Sequence, residues 1–168
     1  GFAASLSGWL AAPVACASLV VKPLIKPLMS RFGYRNVLIW NTRLLAILIM
    51  LLALPDADTS LSFWIVLLLL IGTCNSIQFS AMNTLTIADL RPHQTGSGNS
   101  LMAVNQQLAS SLGIALGALI LQNWSQSSFT AGNLHLSFRL TLLSIGLITL
   151  VSSTIFSRLH ISDGRNLT

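Results

Sequence analysis

Charge is what this sequence has least of. Asp, Glu, Lys and Arg together make up 8% of the 168 residues, nine of them basic and four acidic. A soluble domain carries roughly 25% charged residues, so too few are present to cover a surface facing water. Cysteine is scarce as well. Cys16 and Cys74 both lie inside apolar runs, and no paired Cys or Cys/His spacing accompanies them, so neither a disulfide framework nor a metal site is expected. The three histidines, His93, His135 and His160, fall in three different connections or ends. On the topology derived below these ends lie on different faces of the membrane and cannot share one site. No GxSxG, P-loop or HExxH motif occurs, so no catalytic residue, no cofactor and no enzyme activity is expected. A charged n-region and a small-residue cleavage site are missing too, which excludes a signal peptide. The chain opens at Gly1 directly in an apolar stretch and reads as the middle of something larger.

What is abundant is apolar. Hydrophobic residues make up 53% of the chain and the mean hydropathy is +0.75. The net charge of +5 could suit nucleic acid, but the basic residues sit in short clusters between apolar runs, not on one basic and aromatic face. Nucleic acid is therefore not an expected partner, whereas the lipid bilayer is. A spanning helix needs about 20 mostly apolar residues. That length fits five stretches, 2–21, 37–55, 62–87, 99–122 and 138–157. The fold class expected is an all-α membrane protein of about five transmembrane helices in one transmembrane domain, 1–168.

Orientation follows from lysine and arginine in the short loops. The connection after the first span holds Lys22, Lys26, Arg31 and Arg35; that after the third holds Arg91; the tail holds Arg158 and Arg165. The other two connections carry Asp56, Asp58 and His135 instead, with Arg139 just inside the fifth span. The alternation suits five spans, with the first residue outside and the C-terminus in the cytoplasm. Trp64 and Trp124 at outer ends, and Trp40 and Phe156 near inner ends, agree with the preference of amphipathic rings for the headgroup zone. Trp9 lies deeper in the first span, and packing is the reading favoured for it over substrate contact.

Polar residues inside spans mark a packing face or a cavity. At 100° per residue, Asn99, Ala103, Gln106, Ser110, Gly113 and Gly117 form one stripe of the fourth span, with Leu101, Leu108, Leu112 and Leu119 opposite. Gly113 and Gly117, four apart, suit close helix packing. The stripe is either a packing face or one that also reaches a substrate cavity, and Gln106 is the strongest cavity candidate because packing has little use for a long amide at mid-membrane. In the inner half of the third span, Thr73, Asn75, Ser76, Ser80, Asn83, Thr84 and Thr86 exceed what helix association needs, while Gln78 points elsewhere. Asn75, Ser80, Asn83, Gln106 and Ser110 are accordingly the candidates for a substrate cavity or a helix interface. Arg43, roughly 10 Å into the second span at 1.5 Å per residue, either snorkels to the inner surface or serves an internal ion pair; for Arg139, near the outer surface, snorkelling is the simpler reading. Asp89, at the cytoplasmic end of the third span, opposes the helix dipole and wants a cation. Arg31, Arg35 and Arg91 face the same side, so a gating ion pair and a solvated loop charge both stand.

The run NSIQFSAMNTLTIADLRPHQTGSGNSLMAVNQQLASSLGIALG, from Asn75 to Gly117, resembles the major facilitator superfamily, and within it the drug–proton antiporter branch. The loop KPLMSRFGYR, Lys26 to Arg35, resembles the C-terminal-half copy of the superfamily's cytoplasmic loop signature, with Leu28, Arg31, Gly33 and Arg35 matching. Lys26 replaces its first glycine, Ser30 its aspartate and Tyr34 the first arginine of its closing pair. The aspartate of the charge relay is thus missing, and Arg31 is the contact that survives. The resemblance implies a C-terminal fragment of a major facilitator fold: the last five helices of a 12- or 14-helix transporter whose N-terminal half is missing. It also implies a bacterial cytoplasmic (inner) membrane, a small drug-like substrate, and export driven by a proton gradient through rocking of two helical halves around a central cavity. Five helices cannot form two matched halves, so transport by this chain alone is not expected. The alternatives are a non-transporting membrane fragment of a truncated gene, and a facilitator for sugars or metabolites.

Overall fold

Apolar runs of this length fold as helices in lipid because every backbone N–H and C=O must be satisfied internally. The computed structural model describes residues 27–55, 59–88, 95–130 and 132–158. Among these residues are four long helices: α1 (Tyr34–Leu51), α2 (Leu61–Ala88), α3 (Thr95–Gln126) and α4 (Leu134–Phe156). They correspond to the second through fifth spans of the sequence reading. The first span, with Trp9 and Cys16, lies outside the described residues, as do Lys22, Lys26, Asp56, Asp58, Asp89, Arg91, His93, His160 and Arg165. Three of the helices have stretches long and apolar enough to cross a membrane: Leu61–Thr86, Gly96–Gln126 and Leu134–Phe156. The shorter α1 carries Arg35 in its first turn and Arg43 near its middle.

The ends differ from the sequence reading in instructive ways. Residues 27–32, assigned there to a basic loop, are helical. Gly33 separates them from α1 with φ 76°, a conformation that costs glycine little and other residues much. The Gly33 N–H still donates to Met29 O and its carbonyl accepts from Val37 N, so the break is a hinge between two helical pieces. Met29 is 2% exposed and packs with Tyr34, Val37, Leu38 and Ala81, against Ile77, Leu85 and Phe156. That burial, not the loop's charges, orders the segment. α3 runs past the expected 99–122 at both ends, taking in Gly96, Gly98 and Trp124. At 1.5 Å per residue its 32 residues reach about 48 Å, beyond a hydrocarbon core of about 30 Å. The turn into α4 is tight. The Thr130 hydroxyl donates to the carbonyls of Trp124 and Ser127. The Asn133 side chain caps α4, accepting from the N–H groups of His135 at 3.1 Å and Leu136 at 3.3 Å. α4 therefore begins before the expected position 138.

α1 and α4 pack most closely. Ala46 is fully buried and faces Gly146, and the polar residues of α4 on this side, Ser137, Thr141 and Ser153, are small and buried. Thr141 returns its hydroxyl hydrogen to Ser137 O at 2.7 Å, so the interface keeps no unspent donor there. Arginines fasten both ends. Arg35 Nη2, from the start of α1, donates to Ser157 O at 2.7 Å, just past the end of α4. Arg139 Nη2, from the start of α4, donates to Leu54 O at 2.8 Å and Pro55 O at 3.3 Å, just past the end of α1. The two helices are therefore antiparallel. Each supplies a cation to the other's C-terminal carbonyls, where helix partial charge is negative. Arg139, read from sequence as a snorkelling residue near the outer surface, reaches these carbonyls.

Candidate substrate cavity

Polar side chains on a helix in lipid are satisfied by other helices or by a wet cavity. α2 presents amides on two sides. Toward α1, Asn41 is 8% exposed, and its Nδ2 donates both hydrogens, to Cys74 O at 2.7 Å and to Gln78 Oε1 at 2.9 Å. Gln78 thus points away from the α3 side, as its angular position requires. Asn41 was not singled out from sequence, although it is the one amide inside the second span. Substituting Asn41→Leu strands the Gln78 carbonyl oxygen, and we expect a loss of about 1 kcal/mol, within the range for interhelical hydrogen bonds. Thermal unfolding in detergent should show Asn41→Leu and Gln78→Leu each lowering Tm and the double variant falling short of their sum. Strict additivity would mean that the pair is not coupled.

Toward α3, Gln106 Nε2 donates to Asn83 Oδ1 at 3.0 Å. Two of the residues singled out from sequence, on different helices, are joined. They border an open cavity of about 480 Å³, within the usual range for small-molecule sites. Phe79, Met82 and Met102 supply apolar, polarisable walls, while Thr86, Asn105 and the joined pair supply hydrogen-bonding groups. Methionine fills irregular space and tolerates ligands of differing shape. None of the described lining residues is titratable. These residues can hold a ligand by dispersion and hydrogen bonds. Phe79, Met82 and Met102 were missed from sequence because apolar residues in a span carry no individual signal, and Asn105 because it lies about 100° around the helix from the Gln106 stripe.

The other candidates fall elsewhere. Asn75 is exposed on α2 and Ser80 is half-buried, its carbonyl accepting from Thr84 Oγ1 at 2.8 Å. Ser110 is exposed on α3. None of the three lines the cavity. A Cβ added at Gly117 would meet Ile145 Cδ1 at 3.9 Å, whereas one at Gly113 would meet nothing within 4 Å. Among the loop residues, Arg31 lies over the Phe32 ring, Gly33 forms the hinge and Arg35 holds the end of α4. Asp89 and Arg91 lie outside the described residues. No group of three or more His, Cys, Asp or Glu that could hold a metal occurs among the described residues.

The family model for the Major Facilitator Superfamily matches residues 1–165. The chain belongs to the major facilitator superfamily. Its relatives include a transport protein by name, HsrA of Haemophilus influenzae, 34% identical over 167 residues, which cover 99% of this chain and 36% of HsrA. Proteins named for multidrug resistance, MdtD, are also similar. That of Pectobacterium atrosepticum is 37% identical over 94% of this chain and 34% of its own length. That of Klebsiella pneumoniae strain 342 is 36% identical over 99% of this chain and 36% of its own length. The chain thus spans about a third of the length of the curated relatives it matches. No solved structure matches it. Membership in this superfamily, with three apolar helices of spanning length, makes the chain an integral membrane protein of a transporter family.

Proposed function

We propose that this chain is the C-terminal part of a proton-coupled, multidrug-efflux-type secondary transporter of the bacterial inner membrane, and that α2 and α3 form one wall of its substrate path. The observation that carries the reading is the Gln106–Asn83 pair beside a cavity lined by aromatic, thioether and amide groups. The multidrug-resistance names of the MdtD relatives support the drug-like substrate class. The rest of the path would come from an N-terminal half, so transport requires that half. The α3 stripe supports this. Asn99, Ala103, Ser110 and Gly113 are all exposed, although polar and small residues on a membrane helix belong against protein or water. No described lining residue is titratable, so coupling protons would bind on other residues. The basic segment around Arg31 and Arg35 would face the cytoplasm by the positive-inside rule.

The test is export of a lipophilic cationic dye by the intact reading frame, with and without a proton gradient. We expect efflux that collapses with the gradient and none from the 168-residue chain alone. Efflux that persists without the gradient would overturn proton coupling. A reading frame without further spans upstream would favour a non-transporting remnant, and transport of sugars but not dye a metabolite facilitator.

A further inference from the structure

Gln78 stands between α1 and the cavity. It is not among the cavity's lining residues, but Met82, one turn further along α2, is. The Gln78 Nε2 donates to the Met82 sulfur at 3.9 Å. Cys74, Gln78, Met82 and Thr86 follow one another at every fourth position of α2. Four residues advance about 40° around a helix, so this file winds through about 120°. It begins on the α1 side, where Cys74 O accepts from Asn41. It ends at the cavity, which Met82 and Thr86 both line. A contact made to α1 thus reaches the cavity wall without leaving α2.

The direction of each bond along this file is determined. Asn41 is buried and donates both Nδ2 hydrogens, one to Cys74 O and one to Gln78 Oε1. Turned over, the Gln78 amide would set its N–H groups against those of Asn41 and leave a buried donor unsatisfied. Its orientation is therefore set from α1, and its Nε2 faces Met82. A methionine in a helix leans back over the preceding turn, which brings the Met82 sulfur to that N–H. A thioether is a weak acceptor, so the contact adds little to stability. Its effect is on freedom. Methionine is the most adaptable of apolar side chains, and Met82, 44% exposed, would have that freedom without Gln78.

We propose that Gln78 is a positioning residue for the substrate cavity: anchored by Asn41, it holds the Met82 thioether in one conformation, so that this part of the α2 wall selects substrates by size. The proposal rests on the α2–α3 substrate path given above. Held, Met82 gives the wall a set shape that a small ligand can fit. Released, its terminal methyl swings, the cavity accepts bulkier ligands and the fit to small ones is lost. A weak hydrogen bond of this kind shifts such a preference about two- to five-fold. Neither Gln78 nor Asn41 touches the substrate; both act through Met82.

Two measurements on the intact transporter separate the hold on Met82 from its use. In NMR of isotopically labelled methionine methyl groups, the Met82 signal, assigned by its loss in Met82→Leu, should be that of a restrained side chain. It should become mobile in Gln78→Leu and in Asn41→Leu. The second measurement is the ratio of kcat/KM for a bulky over a small cationic dye in vesicles, which a loss of folded protein leaves unchanged. We expect Gln78→Leu to raise this ratio about two- to five-fold. The rise should vanish in a Met82→Leu background and persist in a Met102→Leu background. A Met82 methyl already mobile in the wild type would overturn the proposal, and that result needs no variant to fold. A methyl as restrained in Gln78→Leu as in the wild type would overturn it too, as would a ratio that Met82→Leu shifts and Gln78→Leu does not. A ratio unmoved by Met82→Leu and Gln106→Leu alike would remove the α2–α3 wall from the substrate path, and this proposal with it.

Discussion

Gly146→Leu should unfold the α1–α4 pair, with a drop in Tm larger than that of any other single substitution on this interface. A Cβ at Gly146 would stand 2.5 Å from Met50 Cγ, 3.3 Å from Met50 Cε and 3.2 Å from Ala46 O. The methionine can swing aside, but the Ala46 carbonyl belongs to the α1 backbone and cannot. Relief therefore requires the helices to separate, and Arg35 and Arg139 oppose that by holding the two ends together. Overpacking of a tight core costs typically 1–3 kcal/mol, and here leucine adds three more carbons beyond the clashing Cβ. Size-exclusion profiles and thermal unfolding in detergent measure the effect. Gly113→Leu is the control, because nothing lies within 4 Å of that position. A Gly146→Leu protein that unfolds at the wild-type temperature would mean that α1 and α4 do not approach this closely.

That contrast shows where sequence reasoning reached and where it stopped. The two glycines of the fourth span, four residues apart, match a known packing spacing. Gly146, with no such neighbour, gave no signal. Which glycine meets a neighbouring backbone depends on how helices distant in sequence are rotated, and spacing within one helix does not contain that information. Helix existence was legible for the opposite reason. Length, apolarity and the lack of charge act within each segment, so the four described spans could be read one at a time. Their ends were less legible. α3 continues through Gly96 and Gly98 where glycines suggested a loop, and residues 27–32 are helical inside a connection that its basic residues marked as a loop. In both places the local preference was overridden, at 27–32 by burial of Met29 against Tyr34 and Leu38.

The site was legible in part, again for a physical reason. A long amide in the middle of a membrane helix carries an unmet hydrogen-bonding demand, so Gln106 and Asn83 could be named separately. That they meet each other could not be read from either helix. Asn41 makes the same point from the other side of α2, where the Gln78 amide finds its partner in α1. α2 thus serves two interfaces with two amide pairs. One is buried and fixes α2 to α1, and the other stands at an open cavity, where a hydrogen bond can be exchanged for one to a ligand.

This difference sets the largest functional effect expected. In the intact transporter, Gln106→Leu should lower drug export about ten-fold, since a stranded polar partner costs roughly 1–3 kcal/mol. Leu108→Ala, on the exposed opposite side of α3, should leave export near wild type. Leucine keeps the volume of glutamine but offers Asn83 nothing, so Asn83 Oδ1 loses its donor whether the cavity is empty or filled. Asn83→Leu should match Gln106→Leu, because each removes half of one pair. The double variant separates packing from transport. Leucines at both positions suit lipid and protein interiors alike, so membrane insertion and Tm should recover toward wild type while export stays low. Dye efflux normalised to membrane protein level is the measurement. Equal drug tolerance in cells carrying Gln106→Leu and Leu108→Ala would remove Gln106 from the substrate path. Recovery of export in the double variant would make the pair a structural clasp, leaving Phe79, Met82 and Met102 as the cavity residues to test.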